Sequence, residues 1–97
     1  MELHASHDDL LRAISEKHEF PGLFPIVVIA KSDLAFTARL HAALEYVQEG
    51  AAFEVSERAS SRNTYVSYTV NVHVPDAETA LDRKAFLSAL EGVIMTL

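Results

Sequence analysis

The longest regular pattern in the chain is a strict two-residue alternation from Tyr65 to Val74. Val66, Tyr68, Val70, Val72 and Val74 point one way, and Tyr65, Ser67, Thr69, Asn71 and His73 point the other. A strand apolar on one side and polar but uncharged on the other predicts a sheet with helices on one flank and an open second flank. Phe24 to Ala30 is almost wholly apolar and β-branched, which suits a central strand. Pro25 is placed at its beginning, where a missing N–H removes few ladder bonds. Phe53 to Ser60 sets Phe53, Val55 and Ala59 against Glu54, Ser56, Arg58 and Ser60, with Glu57 interrupting the apolar row. Charges on both sides predict an edge strand.

A different period marks the helices. Ser6 caps a predicted helix over residues 6–17, with Asp8 and Asp9 in its first turn and a narrow stripe of Leu10, Leu11 and Ile14. So short a stripe must dock on something larger or fray. Phe20-Pro-Gly-Leu-Phe-Pro25 then breaks the chain. Ser32 and Asp33 open a second helix whose Phe36, Leu40, Ala43, Leu44 and Val47 form one stripe, closed by Gly50. Pro75-Asp76 starts a third helix, reaching to about Leu90, with Ala77, Ala80, Leu81, Leu87 and Leu90 on one face. Lys84 falls within that face, its stem buried and its amine reaching water. Gly92 precedes a short last strand, Val93 to Leu97, and Asn63 takes the left-handed position of the hairpin turn.

After the first helix the order is strand, helix, strand, strand, helix, strand. Two crossovers joined by a hairpin predict an α+β, ferredoxin-like βαββαβ domain. Its four-stranded antiparallel sheet has both helices on one face, and the first and third strands lie at the centre. Residues 1–19 form an extension carrying the extra helix, and 20–97 form a single domain.

Composition narrows the function. The chain has 97 residues, no cysteine, 14 acidic against 8 basic side chains and a net charge of −6. A domain of this size buries about two-thirds of its unfolded surface and needs no staples. The acidic balance disfavours nucleic acid and anionic membrane, which need concentrated Lys and Arg. No apolar run is long enough to span a bilayer, and the first residues lack the apolar core of a secretion signal. A cytoplasmic location is expected.

Three blocks occur together: Phe20-Pro21 with Phe24-Pro25-Ile26; Arg58-Ala-Ser60-Ser61 followed by Tyr65-Val-Ser67-Tyr-Thr69-Val; and Val93-Ile-Met95-Thr-Leu97. From about His18 onward the chain thereby resembles the YbeD-like family of small bacterial proteins, a family of unknown function. The resemblance implies a fold similar to the small-molecule-sensing ACT regulatory domains, and a regulatory role often labelled lipoic acid-binding. Family members usually have glycine near the end of the first strand and in the hairpin, where this chain has Ala30-Lys31 and Asn63. The first departure adds a methyl where a ligand would approach the backbone.

Two candidate binding regions stand out. The open-face row of Tyr65, Ser67, Thr69, Asn71 and His73 offers hydroxyls, an amide and an imidazole to a polar small molecule or to the seam of a homodimer, although a solvated sheet face favours such residues anyway. Around the hairpin, Arg58, Ser60, Ser61 and Arg62 concentrate positive charge and hydroxyls suited to a small anion, unless the arginines simply pair with Glu54 and Glu57. The amino end of the second helix already carries Asp33 and is a poor anion site. His4 and His7 have H-x-x-H spacing, with His18, Asp8 and Asp9 nearby, but no fixed set of three or four converging ligands. No metal, cofactor or catalytic set is expected, and no Ser-His-Asp arrangement or phosphate-binding glycine loop is present.

The function expected is a non-enzymatic regulatory or interaction module, working through the open face or the hairpin on a small anion or a protein partner. The alternative is an RNA-binding domain of the RRM kind. Tyr65-Val66-Ser67-Tyr68 matches the last four positions of its stacking motif, but Ser61 and Asn63 stand where the basic residue and the second aromatic belong. An acylphosphatase-like enzyme would need an arginine in a tight loop after the first strand, where Ala30-Lys31-Ser32-Asp33 lies.

Overall fold

The computed structural model describes residues 6–97. It contains α1 (His7–Lys17), β1 (Gly22–Lys31), α2 (Leu34–Gln48), β2 (Phe53–Ala59), β3 (Tyr65–Val74), α3 (Ala77–Ser88) and β4 (Val93–Thr96). The strands form one sheet in the order β2-β3-β1-β4, with every neighbouring pair antiparallel. This is the expected ferredoxin-like arrangement, with β1 and β3 central and β2 at an edge.

One flank of the sheet makes the core. Phe24, Ile26, Val28 and Ala30 of β1 and Val66, Tyr68, Val70, Val72 and Val74 of β3 are buried. They pack against Phe36, Leu40 and Leu44 of α2 and Ala80 and Leu87 of α3. The i, i+4, i+8 spacing of the α2 residues lays them along one stripe that faces the sheet, and α3 shares the same flank. Inside this layer the Tyr68 hydroxyl and Thr37 Oγ1 lie 2.8 Å apart, which satisfies a phenol that would otherwise be stranded among hydrocarbon.

Local signals account for the boundaries. Ser6 and Asp9 form a reciprocal capping box, with the Asp9 N–H donating to Ser6 Oγ and the Ser6 N–H donating to Asp9. Asp33 and Asp76 cap α2 and α3 by accepting from the N–H groups of Ala35 and Thr79. α2 ends with Glu49 and Gly50, both left-handed at φ 48° and 89°. Asn63 takes φ 56° in the hairpin, as expected. Gly92 sits at φ 98° with Phe36 directly behind it, where an added Cβ would meet the ring at 3.0 Å. Glycine alone suits both demands.

Four expectations need correction. β1 is longer than Phe24 to Ala30, so Pro25 is its fourth residue and not its start. It is tolerated because Val27, pointing the same way along the strand, exchanges hydrogen bonds with Leu97, the residue after β4. Pairing on that side of β1 begins at Val27, so the missing donor of Pro25 removes no bond from it. β2 stops at Ala59, because Ser60 already belongs to the turn. α3 ends at Ser88, and Ala89 to Gly92 turn back towards the sheet. In α2 the last buried position is Gln48, while Val47 is only half-buried.

Gln48 is a structural bolt. Its Nε2 donates to the carbonyls of Ala52 (3.1 Å) and His73 (2.9 Å), and its Oε1 accepts from Arg83 Nε at 2.7 Å. One amide thus ties the end of α2 to α3 and to the junction of β2 and β3. α1 docks on this assembly. Ile14 packs against the core and the His7 ring contacts Glu78 at 2.8 Å. His18 meets Phe24 edge-on at 5.1 Å between ring centres. Lys84 is half-buried beside Leu10, Ile14 and Leu81 in the hollow between α1 and α3, in keeping with a buried stem.

Two outcomes follow for stability. Gln48→Leu leaves the His73 carbonyl and the Arg83 guanidinium without their partner, while the Ala52 carbonyl keeps the His73 N–H, and urea unfolding should show a loss of about 2 kcal/mol. The Asp76 carboxyl is held below its ordinary value, first by the Thr79 N–H and then by the Thr79 hydroxyl. Its folded pKa therefore lies below its unfolded one, so its charge stabilises the fold above the unfolded value and that contribution disappears as pH falls through the folded value. Asp76→Asn should accordingly lower the melting temperature at pH 7, and thermal scans should show the gap closing in strong acid.

Candidate functional site

The second flank of the sheet is the candidate site, and strand register builds it. Residues opposite one another in a ladder share a face. Tyr65, Ser67, Thr69, Asn71 and His73 of β3 stand opposite Lys31, Ile29, Val27, Pro25 and Leu23 of β1. On the other side, Ser67, Thr69 and Asn71 stand opposite Arg58, Ser56 and Glu54 of β2. Met95 of β4 stands opposite Ile29, and Leu97 exchanges hydrogen bonds of 2.8 and 3.1 Å with Val27. A register shift between Ile29 and Ala30 makes Ile94 the extra residue of a bulge.

These pairings arrange the face in transverse rows. The middle row is Ser56, Thr69, Val27 and Leu97. On one side lies Glu54, Asn71 and Pro25, and on the other Arg58, Ser67, Ile29 and Met95. The expected polar row is present and open: Tyr65 is 44% exposed, His73 is exposed, and Ser67, Thr69 and Asn71 are half-buried only by their neighbours in the sheet. The helix residues of the core all pack on the opposite flank.

Sequence reasoning missed half of this face. Beside the polar β3 row runs an apolar band of Leu23, Pro25, Val27, Ile29, Met95 and Leu97, of which Leu23, Met95 and Leu97 are 46%, 49% and 61% exposed. The signal was the unbroken apolar run of β1, which supplies the core with one set of alternate residues and this band with the other. Charge is sorted as well. Glu54 is the one carboxylate that a strand carries on this face, and it lies towards one end. Arg58 and Lys31 lie towards the other.

The hairpin candidates separate into two groups. Arg58, Ser60, Tyr65 and Ser67 come together with Ile29 around a shallow hollow of about 250 Å³. Ser61 and Arg62 stand at the exposed tip of the turn, past the end of the strands. Ser60 Oγ accepts from the N–H groups of Thr64 and Tyr65, both at 3.2 Å, so the hydroxyl serves chiefly to hold the turn. Among the described residues neither Arg58 nor Arg62 forms an ion pair with Glu54 or Glu57. The guanidinium of Arg58 is thus available at the rim of a partly apolar hollow.

Other candidates are placed elsewhere. His4 lies outside the described residues, His7 contacts Glu78, and His18 packs on Phe24. Among the described residues no three ligands converge to hold a metal ion. Tyr68 points into the core and Asn63 into the turn, so Tyr65 is the one phenol ring that β3 shows on the open face. No helix among the described residues is long and apolar enough to cross a membrane.

Comparison with known proteins adds the lineage. Two solution structures of the protein HP0495 from Helicobacter pylori superpose on this chain. One has a TM-score of 0.70 at 23% identity, covering 82% of this chain and 85% of the other. The second has a TM-score of 0.58 at 20% identity, covering 80% and 87%. At such identities the likeness is one of fold. No curated protein matches the sequence. The family model described as a protein of unknown function, DUF493, matches residues 15–97, which takes in every strand, α2, α3 and the last turn of α1. The chain belongs to this family.

Proposed function

We propose that the protein is a non-catalytic interaction module whose working surface is the uncovered flank of its sheet. The observation that carries this reading is the continuous apolar band of Leu23, Pro25, Val27, Ile29, Met95 and Leu97 beside the polar row of β3. Leaving such a band in water forfeits about 25 cal/mol per Å² of apolar area, and contiguous exposed patches of this kind mark binding surfaces. The polar row supplies hydrogen-bonding groups in fixed register, and Arg58 beside Ile29 gives the hairpin end a point for an anionic group of the partner.

Spacing on the strand supports a binding role over catalysis. Alternate residues rise about 6.6 Å, so successive side chains of the row lie beyond hydrogen-bond reach of one another. Ser67 and His73 are separated by six residues, about 20 Å, so the imidazole cannot serve that hydroxyl as a base. Base stacking fits less well, with one phenol on β3 and an acidic chain.

Native mass spectrometry of protein drawn gently from its host tests the reading. The expected result is a bound species that is lost from Val27→Glu and Met95→Glu and kept by Leu34→Glu, a substitution at an exposed apolar residue of α2. Loss from all three variants alike, or a bare chain in every sample, would overturn it.

A further inference from the structure

The open face is complementary to itself, and we infer that its occupant is a second copy of this chain, packed face to face about a two-fold axis that lies along the row Ser56, Thr69, Val27 and Leu97. This inference rests on the reading of the open flank as the working surface and names the partner.

The geometry selects one symmetry. A two-fold axis lying between two stacked sheets can run along the strands or across them. An axis along the strands would set β2 over β4 of the partner, placing charged Glu54 and Arg58 on the apolar band. An axis across them keeps β2 over β2 and β1 over β1 while reversing strand direction, so apolar meets apolar and polar meets polar. It also exchanges the two rows that flank the axis. Glu54 then faces Arg58 of the second copy, Asn71 faces Ser67, and Pro25 faces Ile29. In the next rows out His73 faces Tyr65, and the stem of Lys31 lies over Leu23. No like charges meet. The twist of each sheet rotates the stack by about 30°, which displaces the outer rows more than those beside the axis.

Size is adequate. The strands of this face have 10, 10, 7 and 4 residues. β4 lies wholly on the Ile29 side of the axis and so clears its counterpart; at about 3.3 Å per residue and about 4.8 Å between strands, the other three strands present roughly 430 Å² each, or about 850 Å² buried in the pair. That is in the range of weak, reversible interfaces and fits a dimer that forms at high micromolar concentration. The arrangement leaves both edges, β2 and β4, unpaired.

Charge exchange within β2 tests it. Glu54→Arg places two arginines opposite each other at both symmetric positions, and Arg58→Glu places two carboxylates there. Sedimentation equilibrium of purified chain should show a concentration-dependent dimer, weakened about tenfold or more by either single change. The double variant Glu54→Arg/Arg58→Glu, which restores both pairs in reverse, should recover to within about threefold. Both positions are exposed, and thermal scans confirm that each variant is folded. A wild-type chain that stays monomeric at about 1 mM overturns the inference, as does a dimer indifferent to the single changes or one that the double variant fails to rescue. If the purified chain is monomeric while host-derived protein carries another species that Val27→Glu removes, the second copy is excluded and the open face stands as a binding surface for that species.

Discussion

The pleat of β3 is the constraint from which the rest follows. A strand sends alternate side chains to opposite flanks, and β3 is hydrogen-bonded on both of its sides, to β1 and to β2. Its alternation is therefore imposed on its neighbours. With Val66, Tyr68, Val70, Val72 and Val74 packed beneath the helices, the ladder leaves no choice about Ile26 and Val28 or about Val27 and Ile29. A slip of one residue would carry four valines and a tyrosine into water and bring the serine, threonine, asparagine and histidine into the core. Gln48 fixes the far end of this arrangement, where the His73 carbonyl, the Ala52 carbonyl and the Arg83 side chain share one amide.

What could be read from the sequence was what depends on near neighbours. The alternation of β3, the stripe of α2, the caps at Ser6, Asp33 and Asp76 and the left-handed Asn63 are all set within a few residues, and each lies where local chemistry places it. β1 was legible as a strand but not as two faces. Its residues are apolar throughout, so periodicity cannot say which half meets the helices. That is decided by pairing with β3, whose partner residues lie 34 to 52 positions away in the chain. The apolar half of the open face was hidden for this reason. Met95 and Leu97 join it only because the bulge at Ile94 sets the register of a four-residue strand. The burial of Gln48 was equally invisible, since its partners come from three other segments and a valine precedes it as the more obvious core residue.

The sorting of charge bears on function. The chain is acidic overall at −6, yet the strands place a single carboxylate on the open face against one arginine and one lysine. Among the described residues the remaining acid lies on the core-side flank of the sheet, on helices and in loops. The face is polar along β2 and β3, apolar along β1 and β4, and oppositely charged at its two ends. The superposition on the Helicobacter pylori structures shows the same fold in a second protein.

Solvent paramagnetic relaxation of side-chain methyl groups, followed across a dilution series, is the most direct measurement of whether the second flank is bare within one chain. At the lowest concentration the methyl groups of Val27, Ile29 and Met95 should relax strongly and those of Ile26 and Val28 weakly, a two-residue alternation along β1. If Val27 and Ile29 are shielded as well as Ile26 and Val28 in the isolated chain, its own residues cover the flank, and no recognition surface exists there.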